Sequence, residues 1–423
     1  MKYDTIVIGG GPGGALSAGI LAQKGYKVIV IEAGSKNRYK VCSGGTPLRS
    51  IKLLSILGNP LKIVEREIKG VNIFIAENEV ISAQKSEVIG YSYYRSELDQ
   101  WIRDRAQDYG SEVEYNTVAK KIHIDKHGVR VKCDNKGLMK EYEGELLIGA
   151  FGIRPDLLMQ LGLKPTEYLI SLQSEFVGNI ENLDESIKYS FNFIVDSRYS
   201  SYSYGWVFPK KEGLSIGITD RMEGEKVTLR FKEFLKHNPI VSKQIKELKV
   251  LPIYNREFLA HLNPNKPLEK TYGNRFVVIG DAAGFADPVT WEGIYFSLKS
   301  GEIAARVFDI LLTNKNFSEK GTKLYEKEWK KEFGKIFNIE WAVKQILWGK
   351  DLEYKWIKVA KFFKSNNKRN ELLQKGLTEH MSIAPVIKQM SILDKLNIGF
   401  RIKGYKLLKN PINFIHVFRT LFS

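Results

Sequence analysis

Apolar and polar positions follow two rhythms along the chain, and each change of rhythm marks a part of it. An unbroken β-branched run at residues 3–8 predicts a buried parallel strand, and a second run at 27–31 ends on Glu32. The alanine-rich stretch between them, to Lys24, reads as a helix. Short alternating segments follow at 63–90, among them Val71-Asn72-Ile73-Phe74-Ile75. A helix is expected from Tyr94 through Gln107, with Leu98, Trp101, Ile102 and Ala106 on one face. Ser96 would cap it, and Asp99 would complete an acidic capping box. Residues 112–132 read as a strand and an antiparallel meander, and 145–152 as a further buried strand. A meander set between parallel strands suits a flavin fold better than a plain dehydrogenase.

The rhythm shifts again over 160–265. Strand-like runs at 187–193, 205–209 and 214–219, with a helix at 227–237, predict a mixed α/β substrate domain built on an antiparallel sheet. Residues 275–281 then return to the first domain as a parallel strand ending on Asp281. A helix to Leu312 is expected to start after Pro288. From 315 onward the pattern is helical and lysine-rich, with Trp329, Trp341, Trp348 and Trp356 close together.

Glycines decide what the opening unit holds. Gly9, Gly11 and Gly14 fit the G-x-G-x-x-G turn that lets backbone approach a pyrophosphate at a helix N-terminus. Glu32 lies 18 residues past Gly14, where a carboxylate holds the ribose hydroxyls of an adenosine. Asp281, at the end of a distant strand and beside Gly280, suits the ribityl hydroxyls of a second nucleotide half. Two separated nucleotide-contacting strand ends fit FAD better than NAD alone. The expected fold is therefore α/β: a Rossmann-type, three-layer FAD-binding domain with an inserted antiparallel-sheet substrate domain and a helical C-terminal region. Its boundaries read as 1–155 with 270–315, then 156–269, then 316–423.

Other positions leave alternatives open. Val41-Cys42-Ser43-Gly44-Gly45-Thr46-Pro47-Leu48 crowds glycines and a proline around a thiol, where backbone comes close to something flat. Cys42 alone reads as a small buried hydrophobe. Arg95 meets a phosphate or a flavin carbonyl, or is solvated. Tyr199, Tyr202, Tyr204, Trp206 and Phe208 form either cross-strand packing or a substrate wall. The helix start expected after Pro288 would offer N–H groups to developing negative charge.

Composition narrows the class. The 423 residues, 43% apolar and 27% charged, describe an ordinary globular protein with room for two or three domains. No run approaches the ~20 apolar residues of a membrane span, and no secretory leader is expected before the first strand. Cys42 and Cys133 offer no disulfide framework, and six scattered histidines make no metal site, so a cytoplasmic protein is expected. The net charge of +17 is uneven: residues 331–423 carry 18 Lys/Arg against 7 Asp/Glu. No nucleic-acid module accompanies it, which ranks that partner last. The basic amphipathic segment 395–423 would lie in a membrane interface or dock as a capping helix.

Three motifs together resemble the geranylgeranyl reductase family, whose fold is similar to that of p-hydroxybenzoate hydroxylase. They are the opening fingerprint, Tyr204-Gly205-Trp206-Val207-Phe208-Pro209, and Gly280-Asp281-Ala282-Ala283-Gly284 through Glu292-Gly293-Ile294. The resemblance runs over residues 1–312, and the Cys42 loop looks like the family's cysteine–glycine loop beside the flavin. It implies an FAD held by Gly9, Gly11, Pro12, Gly13, Gly14, Glu32, Ala33, Cys42, Ser43, Gly44, Gly45, Arg95, Val118, Ala150, Gly152, Gly280, Asp281, Pro288, Gly293 and Ile294. It implies a substrate wall of Tyr204, Trp206, Phe208, Pro209 and Trp291, with Cys42 and Glu292 in catalytic roles. The implied reaction is hydride transfer from reduced flavin to an isolated C=C of a prenyl lipid or prenyl diphosphate. NADPH or a ferredoxin would supply electrons, since the chain has no second G-x-G-x-x-G turn, and contact with a membrane surface would be peripheral.

Departures from the family are Ser43 after the cysteine, Phe151 within Ala150-Phe151-Gly152 where many members have aspartate, and Trp291 where a glycine commonly precedes Glu292-Gly293-Ile294. Two alternatives stand beside this expectation. A flavin monooxygenase or halogenase shares the fold, although the halogenase Trp-x-Trp-x-x-Pro element is missing. A non-catalytic prenyl-binding protein, like the Rab escort and GDP-dissociation proteins, also resembles it.

Overall fold

In the computed structural model β1 (Lys2–Ile8), α1 (Pro12–Gln23) and β2 (Val28–Ile31) form the crossover that the opening pattern predicts. The structure describes residues 2–395 apart from Asn78, Glu247, Tyr254, Met381, Ile392 and Leu393. Every residue of β2 is buried, as a strand covered on both faces requires. β1 pairs in parallel with β2 on one side and with Leu138–Gly149 on the other. The sheet runs Tyr272–Gly273, Phe276–Val278, Leu138–Gly149, β1, β2, Glu112–Glu114, and the meander Thr117–Ile124 and Val129–Asn135 extends it to eight strands. The nucleotide half is thus finished by a strand from far along the chain.

The second sheet also has eight strands and is mostly antiparallel. Tyr168–Val177, Gly213–Asp220, Gly205–Lys210 and Ser190–Val195 lie side by side within it. Val207, Ile216 and Ile218 face a core with Val227, Phe231 and Phe234 of the helix Glu225–His237. On the opposite face, Tyr204, Trp206 and Phe208 share a core with Trp348, Trp356 and Phe363 from the C-terminal helices. The period-2 alternation of Gly205–Lys210 therefore sorts one strand between two environments.

Three local expectations change. Residues 70–84, read as part of the first unit, belong to the second sheet: Gly70–Ile75 pairs in parallel with Ser190–Val195 and antiparallel with Glu79–Gln84. Parallel pairing across about 120 positions leaves no local pattern to read. The run at 187–193 splits into a helix, Glu185–Lys188, and a strand, Ser190–Val195. Ser96 does not cap its helix, which starts at Arg95 after Tyr94; the Arg95 guanidinium engages both oxygens of Asp99, at 2.8 and 2.9 Å. The helix expected to follow Trp291-Glu292-Gly293-Ile294 as far as Leu312 is present as Ile294–Thr313.

The described C-terminal residues are helical, including Glu319–Trp329, Lys335–Leu347 and Leu352–Lys364. The basic segment 395–423 lies, apart from Lys395, outside the described residues. Among the described residues no helix is long and apolar enough to cross a membrane, and no cluster of His, Cys, Asp and Glu could hold a metal ion.

Candidate active site

The C-terminal ends of β1, β2, Leu138–Gly149 and Phe276–Val278 open into a cleft of about 600 Å³. Gly9, Gly11, Pro12, Gly14, Glu32, Ala33, Arg95, Ala150, Gly152, Gly280 and Asp281 line it, as does Phe151 in its unexpected position. Gly9 has φ +105°, and a Cβ there would sit 2.2 Å from the Ala150 carbonyl oxygen. Glu32 fastens the turn: its carboxylate accepts from the Gly10 N–H at 2.8 Å and the Gly34 N–H at 2.7 Å, and pairs with Arg38 at 2.9 Å. Arg103, fully buried, donates to the Gly10 carbonyl at 2.8 Å. Two expected contacts differ. Gly13 faces the neighbouring helix, its N–H donating to Ser297 Oγ at 3.1 Å. Thr117 and Ala119 line the cleft while Val118 between them does not, which is strand alternation at work.

Asp281 stands at the other end of the cleft and pairs with Lys40 at 2.8 Å. Burial alone would raise its carboxyl, but the Lys40 ammonium wins and holds it below the usual carboxylate range. His261, absent from the sequence expectation, lines the same stretch, and its buried Nε2 has no partner among the described residues. Burial, with Lys40 adding to it, pushes the imidazole down to about 3, so the ring is neutral. Backbone N–H groups at a helix start, carboxylates at the two far ends and an orphaned polar nitrogen between them fit an adenine dinucleotide.

A second cavity of about 100 Å³ continues from the first, sharing Pro12, Lys40, Arg95, His261 and Asp281 with it. Cys42, Ser43, Tyr204, Trp206, Phe208, Trp291, Gly293 and Ile294 complete its walls. Cys42 is half-buried, and its Sγ accepts from the Gly44 N–H at 3.4 Å. Gly44 has φ +73°, and Gly45 abuts the rings of Phe208 and Phe191, so both glycines shape the loop and line neither cavity. Pro209 faces away from the cavity, its carbonyl accepting from Ser92 Oγ at 2.6 Å. Pro288 is buried in the preceding loop and lines neither space.

Trp291 has φ +53°, the left-handed region that glycine favours, which accounts for the residue common at this position in the resembling family. Its ring is kept in place by Nε1 donating to Ser203 Oγ at 2.5 Å and by the Lys344 ammonium 4.3 Å from its centroid. Glu292, expected in a catalytic role, is not among the residues that line the second cavity. Its side chain turns from the cavity, accepts from the Tyr295 N–H at 2.6 Å and lies 3.4 Å from Arg49. Burial pushes this carboxyl up to about 7 despite the Arg49 charge. Its carboxylate thereby satisfies one N–H in the first turn of the helix Ile294–Thr313, whose N-cap residue is Gly293.

Beyond Tyr204 the space continues. Tyr204 and Phe193 also line a third cavity, about 40 Å³, with Val71, Trp348 and Trp356. Ile73, Trp356, Leu377 and Ile383 carry this into a fourth, about 60 Å³, between the second sheet and the C-terminal helices. Nearly every wall residue is apolar. Behind Trp291 sits a buried polar group: Glu340 accepts from Ser382 Oγ at 2.5 Å and the Ala384 N–H at 2.6 Å, while Lys344 donates to the Asn265 carbonyl at 2.8 Å. Burial, reinforced by Asp287, raises Glu340 to about 8; burial lowers Lys344 to about 7.

Residues 2–190 match the FAD binding domain family. A digeranylgeranylglycerophospholipid reductase from Methanocaldococcus jannaschii is 29% identical over 338 residues, covering 78% of this chain and 83% of the relative. The chloroplastic geranylgeranyl diphosphate reductase of Arabidopsis thaliana is 27% identical over 356 residues, covering 80% and 73%. The crystal structure of a geranylgeranyl bacteriochlorophyll reductase-like protein from Thermoplasma acidophilum superposes with TM-score 0.74 at 20% identity, over 97% of this chain and 99% of that one. The flavin-dependent brominase Bmp2 shares the fold as well, with TM-score 0.72 at 18% identity over 94% and 98%. The cleft, the paired strand-end acids and these likenesses agree on FAD as the cofactor, and the chain is similar to geranylgeranyl reductases in sequence and in fold.

Proposed function

We propose that this flavoenzyme hydrogenates isolated double bonds in the geranylgeranyl-type chains of a prenyl lipid. A glycerophospholipid bearing such chains is the first candidate, as in the M. jannaschii relative's name. The observation that carries the proposal is the pair of apolar cavities that opens from the mixed-walled second cavity at Tyr204 and Phe193 and runs on beneath Trp348 and Trp356. A long unbranched polar substrate has no partners there, whereas a prenyl chain gains about 25 cal/mol for each Å² it buries.

When bound and reduced, FAD would supply the hydride for one alkene carbon. The protein's part is placement, because an unactivated alkene offers no charge to polarise and orientation must lower the barrier. Trp206, Phe208 and Trp291 fix the chain laterally, and Tyr204, whose hydroxyl donates to the Thr290 carbonyl, narrows the passage between the second and third cavities. Cys42 is the thiol in the second cavity, and in this reading Cys42 or a nearby water would give a proton to the other alkene carbon. NADPH or a reduced ferredoxin would recharge the flavin.

Anaerobic mixing of the reduced enzyme with geranylgeranyl diphosphate is expected to oxidise the flavin and yield product heavier by two hydrogens per bond reduced. Flavin that stays reduced, with no saturated product, would refute prenyl reduction. Oxygen uptake coupled to hydroxylation or halogenation would instead favour the oxygenase reading. Tyr204→Ala is expected to lower kcat for the prenyl substrate by ~10- to 100-fold, the cost of roughly 1 Å of misplacement. Dithionite reduction of its flavin should stay at the wild-type rate, so a stopped-flow comparison of the two half-reactions checks this.

A further inference from the structure

The loop at residues 39–45 carries Lys40 to both cavities and Cys42 to the second, yet it has little regular structure of its own: only Gly45 begins a strand. Something outside the loop must therefore hold it. Lys210, the residue that follows Tyr204-Gly205-Trp206-Val207-Phe208-Pro209, is 1% exposed, and its ammonium reaches into the loop from the second sheet. Nζ donates to the Ser43 carbonyl at 2.6 Å and to the Tyr93 carbonyl at 2.9 Å. It so ties the residue after Cys42 to the segment that leads into Arg95. At the other end of the loop the Tyr39 hydroxyl donates to Glu175 at 2.7 Å, and Glu175 also accepts from Gln173 and Ser215. Lys210 and Glu175 are both buried, and each is the largest charge acting on the other.

We infer that Lys210 and Glu175 form a buried two-point clamp by which the substrate sheet positions the cofactor-facing loop, with Lys210 setting the place of Cys42. A lysine fully removed from water loses several kcal/mol of hydration, so two carbonyls and an opposed carboxylate are the minimum that keeps it there. The cost is met where the loop needs it: Gly44, between the clamped residue and the sheet, leaves so little room that a Cβ would meet Tyr93 O at 1.9 Å and Lys210 Nζ at 2.9 Å. The inference rests on the second cavity being the seat of the flavin ring, but not on which substrate is reduced. Lys210 and Glu175 are positioning residues, since neither lines a cavity.

The test is thiol chemistry on the full chain freed of flavin, together with nucleotide binding. In Lys210→Met the stem remains and the ammonium goes. Iodoacetamide should alkylate Cys42 about tenfold faster than in wild type, because a loosened loop exposes the sulfur more often. Cys133, fully buried in the first sheet, should remain unmodified by mass spectrometry, which separates local loosening from global opening. ADP, which needs only the glycine turn and Glu32, should bind within about twofold of wild type, while FAD affinity falls about tenfold. Tyr39→Phe removes one hydroxyl at the opposite end and should shift the alkylation rate and the FAD-to-ADP ratio in the same direction by a smaller factor. It decides the matter if the lysine variant does not fold. Wild-type alkylation rates with an unchanged FAD-to-ADP ratio would overturn the clamp, even if prenyl reduction is correct. A clamp borne out in an enzyme that reduces no prenyl chain would leave this inference standing and remove the proposed substrate.

Discussion

Gly9→Ala is expected to give a colourless protein that takes up FAD poorly even when it is supplied in excess. Gly9 ends β1 at φ +105°, where an L side chain is strained, and the added methyl would press on the Ala150 carbonyl at 2.2 Å. Neither neighbour has slack. Ala150 N–H donates to the Ile8 carbonyl at 2.8 Å and Gly9 N–H to the Ile31 carbonyl at 2.8 Å, so the three strand ends are tied together there. The only relief is to part these ends, which moves the start of α1 away from the pyrophosphate position. FAD affinity should fall at least about a hundredfold, corresponding to ~2.8 kcal/mol of lost contact. Titration of flavin fluorescence into the variant measures this. Stoichiometric FAD in the purified variant would show that the turn does not hold the cofactor.

Glu340→Gln should raise thermal stability near neutral pH and flatten its dependence on pH. Burial lifts the Glu340 carboxyl to about 8 in the folded chain, with the nearby Asp287 charge adding to the effect. The unfolded chain loses this proton near the ordinary glutamate value of about 4.5. Between those values the folded state holds the extra proton, so stability is complete below about pH 4.5 and declines as pH rises toward 8. Glutamine cannot ionise, and its amide oxygen can still accept from Ser382 Oγ and the Ala384 N–H. Lys344, lowered to about 7, titrates in the opposite sense from about neutral pH upward, because a neutral folded lysine gains on its charged unfolded form there. The interval from about pH 5 to 7 is therefore the informative one. Across it the wild-type midpoint should fall, and the variant should melt higher at pH 7 by roughly 4 °C, on the order of 2 kcal/mol. Parallel melting curves for the two proteins would show that Glu340 is ionised in the folded chain.

What could be read in advance was what leaves a local mark. The turn at Gly9, Gly11 and Gly14, the carboxylate of Glu32 and the strand end at Asp281 announce themselves by spacing, and all five line the cleft. Tyr204, Trp206 and Phe208 fall two apart, so they share one face of one strand and line one cavity together, although the alternation alone left cross-strand packing open as well. Pro209 failed for the same reason, being out of phase. Lys210, His261, Glu340 and Lys344 carry no such mark, because a buried charge is recognised only by partners that lie far off in sequence. Lys210 is 167 residues from Ser43, and Lys344 is 79 from Asn265. Glu292 differs from its neighbours Trp291 and Gly293, which line the cavity, because its own carboxylate meets the Tyr295 N–H in the first helical turn. The two-sheet division of residues 70–84 was hidden likewise, since its partner strand comes much later.

Because Gly70–Ile75 is paired with Ser190–Val195, and Phe276–Val278 completes the sheet begun by β1, no single cut yields two halves that each own all of their strands. A growing polypeptide must extend past residue 278 before both sheets are closed. Until then it presents unpaired strand edges and the greasy faces they border, the features that draw chains into aggregates. Synthesis in a heterologous host would therefore depend on holdase chaperones, and truncations designed from linear boundaries would be recovered as insoluble material.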